Sequence, residues 1–142
     1  MRPTREEYLV VLALVLTPGV VSKAADSQNF DGEWQTTVSC AAARDALGYS
    51  FRFMSTVKNG TFHGVQGTVG QPSSLQIDGK IAADGTANLY ASGRTGSKEM
   101  VPGRDTPRGT EYGYSISAHF ERSTGTGTRV EGRPCTFQFT KP

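Results

Sequence analysis

The feature that most constrains this chain is an alternation of apolar and polar residues that recurs in short segments from Trp34 onward. Successive side chains of a β-strand point to opposite faces, so such a segment can bury one face and expose the other. No stretch of about ten residues carries the apolar period of a helix. The best helical candidate is a turn or two over residues 41–47, ended by Gly48. The pattern therefore predicts an all-β protein.

Turn residues separate these segments into strands. Asn59-Gly60 is the strongest hairpin signal, and Ala83-Asp84-Gly85 and Ser123-Thr124-Gly125 predict further turns. The longest stretch without a strand pattern covers residues 93–110. The predicted strands cover residues 34–40, 49–57, 61–66, 75–81, 86–92, 112–120, 127–132 and 135–140.

The two cysteines favour a closed barrel. Cys40 ends the first predicted strand and Cys135 begins the eighth. In an eight-stranded up-and-down barrel these strands are antiparallel neighbours, which brings the two Cα atoms within the ~7 Å that a disulfide needs. We expect an eight-stranded antiparallel up-and-down barrel closed by a Cys40–Cys135 disulfide. A β-sandwich is the alternative fold.

The first 24 residues have the layout of a secretory signal peptide. Arg2 and Arg5 precede an apolar run over residues 8–16, and small residues precede a cleavage position after Ala24. The run is shorter than the roughly 20 apolar residues of a transmembrane helix. We predict a signal peptide over residues 1–24, a single β-barrel domain over residues 25–142, and a periplasmic or secreted protein with no stable membrane insertion after cleavage.

Charge and composition exclude several classes of partner. The formal net charge of the whole chain is +2, too small to attract nucleic acid. Two cysteines and two scattered histidines have no metal-ligand spacing, and no acidic pair or phosphate loop stands out. We expect no metal, no cofactor and no nucleic acid.

The stretch FDGEW, with the only tryptophan of the chain, carries a first resemblance. Gly32-x-Trp34 on the first strand of a small barrel resembles the calycin group, which includes lipocalins, fatty-acid-binding proteins and avidins. The resemblance implies that Trp34 closes the bottom of the barrel and that Arg129 or Arg133 packs across it. Gly32, Trp34 and Arg133 are accordingly assigned structural roles. The lipocalin loop motifs and the biotin contacts of avidins are not visible in this sequence.

Two further resemblances concern the compartment. The series from FDGEW through YGYSISAHF to RPC resembles a family of small exported proteobacterial domains that brings no established activity. The chain is also similar to periplasmic inhibitors of serralysin-type metalloproteases in its size, its early tryptophan and its cysteine pair. The N-terminal inhibitory segment of those proteins is not recognisable here.

Catalytic chemistry has one weak candidate. Ser115, Ser117 and His119 share one face of the sixth predicted strand, where Ser117 and His119 could form a hydroxyl–imidazole pair. The alternation predicts that this face is the solvated outside of the barrel. We therefore expect no enzyme, with hydrolase-like use of Ser117 and His119 as the alternative.

The remaining function classes are binding of a small molecule and binding of a protein. Long loops are often functional, and residues 93–110 carry several basic side chains that could meet an anionic group. A barrel of this size can be filled by its own side chains or can hold one small ligand, and the sequence leaves both open. The aromatic residues expected inside are Trp34, Phe51, Phe53, Tyr112, Tyr114, Phe120, Phe137 and Phe139. The predicted binding residues are Arg94, Lys98, Arg104, Arg108, Phe51, Phe53, Tyr112 and Tyr114. We expect an exported protein that carries a small apolar or anionic molecule, or alternatively a periplasmic protein–protein module such as a protease inhibitor or envelope accessory domain.

Overall fold

The computed structural model of the chain describes residues 29–103 and 105–142, together with residues 15, 18 and 19. Arg104 and nearly all of the predicted signal peptide (residues 1–24) lie outside the described residues. The described chain forms a closed barrel in which each strand pairs with the next and the eighth pairs with the first. The strands are β1 (Gly32–Cys40), β2 (Tyr49–Lys58), β3 (Thr61–Gln66), β4 (Leu75–Ile81), β5 (Thr86–Arg94), β6 (Glu111–Phe120), β7 (Thr124–Arg129) and β8 (Cys135–Thr140).

The predicted eight-stranded antiparallel up-and-down barrel is confirmed. The strands predicted over residues 61–66, 75–81 and 135–140 have the predicted bounds. Asn59 and Gly60 form the β2–β3 hairpin with φ of 51° and 74°, the left-handed conformations that a tight two-residue turn needs. Lys58 pairs with Thr61 across this turn. Local turn chemistry thus sets the register of these strands.

The predicted disulfide is also confirmed. Cys40 lies opposite Cys135 in the β1–β8 register, with the Cα atoms 4.1 Å apart and a bond between the Sγ atoms. The bond joins the first strand to the last and therefore spans the seam at which the barrel closes.

The FDGEW stretch is tied to the first hairpin by its aspartate. The Asp31 carboxylate accepts hydrogen bonds from the backbone amides of Asn59, at 2.8 Å, and Gly60, at 3.1 Å. These two bonds, of which the one from Asn59 has the larger effect, hold the pKa of Asp31 below its ordinary value of 3.8. The segment that enters β1 is thereby fixed against the β2–β3 turn.

The seventh strand was predicted three residues too late, over residues 127–132, whereas β7 is Thr124–Arg129. The sequence Ser123-Thr124-Gly125 reads as a turn, but Gly125 pairs with Phe120 and Phe139 inside the sheet. An ideal Cβ on Gly125 would lie 2.9 Å from the Phe120 ring. The glycine is therefore a position where a neighbouring ring packs against a strand, a contact that local sequence does not reveal.

The helical turn predicted over residues 41–47 is wrong. The segment forms a tight turn in which Ala43 and Ala46 exchange backbone hydrogen bonds, and Arg44 has a φ of 53°. A helix this short is unfavourable because nucleation fixes several dihedrals for one hydrogen bond. The Leu47 amide instead donates to the Glu99 carbonyl at 2.8 Å.

The loop predicted over residues 93–110 is also shorter than expected. Gly93 and Arg94 belong to β5, and a short 3-10 helix, η1 (Lys98–Met100), lies inside the loop. The extra strand residues form because Gly93 pairs with both Leu75 and Tyr112, in the strands on either side of β5.

The up-and-down order gives the barrel two distinct ends. We call the end that carries the turns 59–60, 82–85 and 121–123 the closed end, and the end that carries the loops 41–48, 67–74, 95–110 and 130–134 the open end. The disulfide lies at the open end because Cys40 finishes β1 there and Cys135 starts β8 there.

Candidate binding site at the open end of the barrel

The closed end is filled by aromatic side chains. Trp34, Phe62, Phe120 and Phe139 are each 1% exposed or less. The Trp34 ring meets Phe120 edge-to-face with centroids 5.3 Å apart, and Phe62 meets Phe139 in the same way at 5.3 Å. Edge-to-face packing is favourable because the positive rim of one ring meets the negative face of the other. This half of the interior therefore has no room for a ligand.

Trp34 lies in the closed end of the barrel as expected, but the cation beside its ring is not one of the two arginines expected there. The indole Nε1 donates to the Phe30 carbonyl at 2.7 Å, and the Lys141 ammonium lies 5.3 Å from the ring centroid. The expectation that Arg129 or Arg133 packs across Trp34 is wrong. Strand β7 runs toward the open end, so both arginines lie at the opposite end of the barrel.

The open end contains a cavity of about 560 Å³. Ligand pockets in proteins are typically ~300–1,000 Å³ in volume, so the cavity has room for a small molecule. Its lining combines strand and rim residues of the barrel with residues of the 95–110 loop and with Ser73 and Ser74 of the 67–74 loop. The strand and barrel-rim side chains are Tyr49, Phe51, Gln66, Leu75, Arg94, Glu111, Tyr112, Arg129 and Arg133. The loop contributes Thr95, Gly96, Ser97, Met100, Val101, Pro102, Thr106 and Thr110.

Two ladders of aromatic rings rise along opposite strands of the barrel. On β2, Tyr49 stacks on Phe51 with centroids 5.8 Å apart, and Phe51 stacks on Phe53 at 6.0 Å. On β6, Tyr112 stacks on Tyr114 at 6.2 Å with an interplanar angle of 11°. Strands β2 and β6 are four positions apart in an eight-stranded barrel, so the two ladders lie on opposite sides of the interior.

The two tyrosines of the β6 ladder differ in exposure, since Tyr114 is 3% exposed and Tyr112 is 37% exposed. Burial raises the pKa of Tyr112 to about 12, and the nearby Tyr49 adds to the rise while Arg129 opposes it. Burial likewise raises the pKa of Tyr114, again with a contribution from Tyr49 and opposition from Arg129. Both hydroxyls therefore remain protonated at neutral pH. Tyr49, Tyr112 and Arg129 all line the cavity at the open end.

The three arginines of the cavity differ in what they bind. Arg94 is paired: its Nη2 lies 2.7 Å from the Glu111 carboxylate and its Nη1 donates to the Gly109 carbonyl at 3.0 Å. Arg133 donates from all three nitrogens to backbone carbonyls, those of Ala41, Met100 and Leu47. Arg133 thus joins the 41–48 and 95–110 loops across the rim.

Arg129 is held in a different way. Its guanidinium carbon lies 4.1 Å from the centroid of the Tyr114 ring, and its Nε donates to the Glu131 carbonyl at 2.6 Å. An ideal Cβ on Gly132 would lie 2.9 Å from Nη2, so the glycine leaves open the space that the guanidinium occupies. The guanidinium is thus positioned by the face of the Tyr114 ring and by the backbone carbonyl of Glu131.

The basic residues predicted from the 93–110 stretch do not converge on the cavity. Arg94 lines it, whereas Lys98 and Arg108 are exposed and are not part of its lining. Arg104 lies outside the described residues. Of the predicted aromatic binding residues, Phe51 and Tyr112 line the cavity, while Phe53 and Tyr114 lie beneath them in the ladders. The arginines that line the cavity therefore lie on strands and at the rim, outside the 95–110 loop.

Sequence reasoning missed Arg129 and Arg133 as cavity residues. For Arg129 the signal was present, because Gly125, Gly127 and Arg129 share one face once the strand begins at Thr124. For Arg133 no local pattern exists, because its three acceptors come from two loops that are far away in the sequence.

The candidate catalytic residues lie on the outer face of the barrel. Ser117 and His119 are exposed on β6, and the His119 Nε2 pairs with the Glu121 carboxylate at 2.9 Å. The other histidine, His63, pairs across β3 and β4 with Asp78, with Nδ1 and Oδ1 2.5 Å apart. Within residues 29–103 and 105–142, no three His, Cys, Asp or Glu side chains are grouped so that they could hold a metal ion.

Comparisons of the chain with models of known families, with curated proteins and with solved structures gave no significant match. In the part of the chain that the structure describes, no helix is both long enough and apolar enough to cross a membrane.

Proposed function

We propose that this chain is an exported binding protein that holds a small apolar or anionic molecule in the cavity at the open end of its barrel. The observation that carries the proposal is the contrast between the two ends. Aromatic rings fill the closed end, while about 560 Å³ remain open between Tyr49, Phe51 and Tyr112 at the other. A mostly apolar cavity with a few placed polar groups is the usual form of a small-molecule site.

The charge of the cavity supports an anionic group on the ligand. Three arginines line it against one carboxylate, that of Glu111. Guanidinium groups donate charge-assisted hydrogen bonds to carboxylates and related anions. Binding is favoured over catalysis because Ser117 and His119 are on the outer face, outside the cavity lining.

Export to the periplasm or the exterior is the second part of the proposal. It is supported by the leader-like sequence of residues 1–24 and by the Cys40–Cys135 disulfide, which persists in oxidising compartments. N-terminal sequencing of the mature protein, recovered from the periplasm or the medium of the producing cells, tests it. A chain that retains residues 1–24 and reduced cysteines would contradict export.

Native mass spectrometry of the protein purified gently from its own compartment tests the binding function. We expect an adduct of a few hundred daltons that is lost on denaturation. As a matched control, protein that has been unfolded and refolded should show the bare mass. After incubation with an extract of the same cells, the refolded protein should show the adduct again. A bare mass from both preparations, before and after exposure to the extract, would contradict the carrier.

A second function is favoured by the apolar side chains of the rim. Leu47, Val69 and Val130 are 53%, 59% and 63% exposed, and each lies in a different open-end loop. A groove of about 560 Å³ beside the cavity is lined by Val69 and Tyr90 and shares Leu75 and Tyr112 with it. These residues would serve a protein–protein module, such as a periplasmic protease inhibitor or an envelope accessory domain. A second polypeptide in the native mass spectrum would favour this function.

A further inference from the structure

The guanidinium of Arg129 is the least satisfied of the arginines that line the cavity. Arg94 forms an ion pair with Glu111, and all three nitrogens of the Arg133 guanidinium donate hydrogen bonds to backbone carbonyls. Arg129 donates a hydrogen bond only from Nε, to the Glu131 carbonyl. Within the described part of the chain, its two terminal nitrogens have no acceptor. A guanidinium presents its terminal N–H groups as a fork that fits two oxygens of one acid group.

The surroundings of Arg129 position this fork rather than neutralise it. The Tyr114 ring lies under the guanidinium at 4.1 Å from its carbon, and Gly132 leaves the space beside Nη2. A cation on an aromatic face keeps its charge and its in-plane donors. The side chain is half-buried, so a bidentate hydrogen bond made there would be less screened than one at the surface.

Two tyrosine hydroxyls belong to the same cavity as this fork. Those of Tyr49 and Tyr112 have no hydrogen-bond partner among the described residues, and both side chains line the cavity. The Tyr112 hydroxyl is protonated at neutral pH, because its pKa lies well above 7, and it can therefore donate a hydrogen bond. An acid group held by Arg129 would therefore meet further donors nearby.

The walls of the cavity favour a flat ligand body. The Tyr49–Phe51 and Tyr112–Tyr114 pairs are nearly parallel within each ladder, at 16° and 11°. The ladders face each other across the barrel, with Leu75 as a further apolar contact. A ring inserted between them would stack or meet edges in geometries that aromatic pairs prefer.

From these observations, and resting on the proposed function, we infer that the ligand is a flat aromatic molecule with one acidic group and that Arg129 receives that group. Arg129 is then the residue that selects for the anion, and the aromatic ladders bind the body. The other two cavity arginines do not contact the acid group in this arrangement. Arg94 is paired with Glu111, and Arg133 holds the 41–48 and 95–110 loops in place.

A pair of fluorescent probes that differ only in the acid tests this inference. Anilinonaphthalene sulfonate and N-phenyl-naphthylamine have the same aromatic body, with and without a sulfonate. We expect the folded protein to bind the sulfonated probe at least about tenfold more tightly. Arg129→Gln should lower the affinity for the sulfonated probe by about 10- to 100-fold, which corresponds to the loss of a hydrogen bond to a charged group. The affinity for the neutral probe should not change.

Matched variants separate charge from geometry and from folding. Arg122→Gln removes the same charge from the exposed turn at the closed end and should leave both affinities unchanged. Arg129→Lys keeps the charge without the fork and should fall between wild type and Arg129→Gln. Tyr112→Leu should weaken both probes, since it removes a wall of the cavity. Near-ultraviolet circular dichroism establishes that each variant is folded before its affinities are compared.

The outcomes distinguish this inference from the function on which it rests. If wild type binds both probes equally, or if folded Arg129→Gln retains the preference for the sulfonated probe, Arg129 is not the anion receptor and the cavity remains a binding site. If the folded wild-type protein binds neither probe, the proposed small-molecule function fails and the inference fails with it.

Discussion

The guanidinium of Arg133 lies 4.9 Å from the centroid of the Tyr49 ring. The same side chain donates to the carbonyls of Ala41, Leu47 and Met100. One residue of the 130–134 loop therefore fixes two other loops of the open end and caps an aromatic wall of the cavity. Arg133 was expected to support Trp34 at the closed end, and its structural role is instead at the rim.

Replacement of Arg133 by glutamine should loosen the rim without unfolding the barrel. We expect hydrogen exchange of the Leu47 amide, which donates to the Glu99 carbonyl, to accelerate by about tenfold or more. Amides in the strands should keep their protection. Hydrogen exchange measured by mass spectrometry checks this, with Arg122→Gln as the charge-matched control. Unchanged exchange at the rim would show that the loops hold without the arginine.

Removal of the disulfide should destabilise the barrel as a whole. The bond closes a chain segment with a sequence separation of 95, so its loss increases the freedom of the unfolded chain. The double substitution of Cys40 and Cys135 by alanine should lower the free energy of unfolding by about 2–5 kcal/mol. Urea unfolding compares it with wild type, with and without reductant. Reductant should shift the midpoint of the wild type alone; an equal shift in the variant would contradict the assignment.

The buried hydroxyl pair of β1 and β2 gives a third prediction. Thr36 and Ser55 are 0% and 1% exposed, and their oxygen atoms lie 2.8 Å apart. Thr36→Val should cost about 1–3 kcal/mol because it leaves the Ser55 hydroxyl buried without a partner. Adding Ser55→Ala should recover part of that loss. A double-mutant cycle by urea unfolding measures the coupling, and strictly additive costs would mean that the pair does not interact.

The lowered pKa of Asp31 predicts a pH-dependent contribution to stability. A carboxyl whose pKa is lower in the folded state stabilises the fold above its unfolded value of 3.8, and the contribution is lost as the pH falls through the folded value. Wild type should therefore be more stable than Asp31→Asn at about pH 6, and the difference should shrink below about pH 4. Urea midpoints across this range test it, with Glu33→Gln as a neighbouring charge control. A difference that is constant with pH would contradict the role of the carboxylate.

The environment of Trp34 gives a fifth prediction. The ring is 0% exposed and its Nε1 donates to the Phe30 carbonyl. We expect blue-shifted emission that resists quenching by acrylamide, and Trp34→Phe should cost about 1–3 kcal/mol because the Phe30 carbonyl loses its donor. Lys141→Met should leave the emission blue-shifted, since burial and not the cation shields the ring. Emission like that of the urea-unfolded chain would exclude Trp34 as the barrel plug.

Much of the barrel could be read from the sequence because strand geometry is a local property. Alternation placed Phe51 and Phe53 inside, the Asn59-Gly60 turn set a register, and the positions of Cys40 and Cys135 indicated which strands close the ring. Each of these signals depends on neighbours in the chain or on a single covalent bond.

The geometry of the candidate site was decided by tertiary structure. Arg94, Arg129 and Arg133 are the same residue type, so the sequence does not show how their hydrogen bonding differs. Arg94 forms an ion pair, Arg133 donates to backbone carbonyls, and Arg129 keeps terminal N–H groups without an acceptor among the described residues. Those differences arise from partners that are up to 92 residues away. The alternation of the strands therefore determined that there is an interior, and only the closing of the barrel decided which end of it is full and which is open.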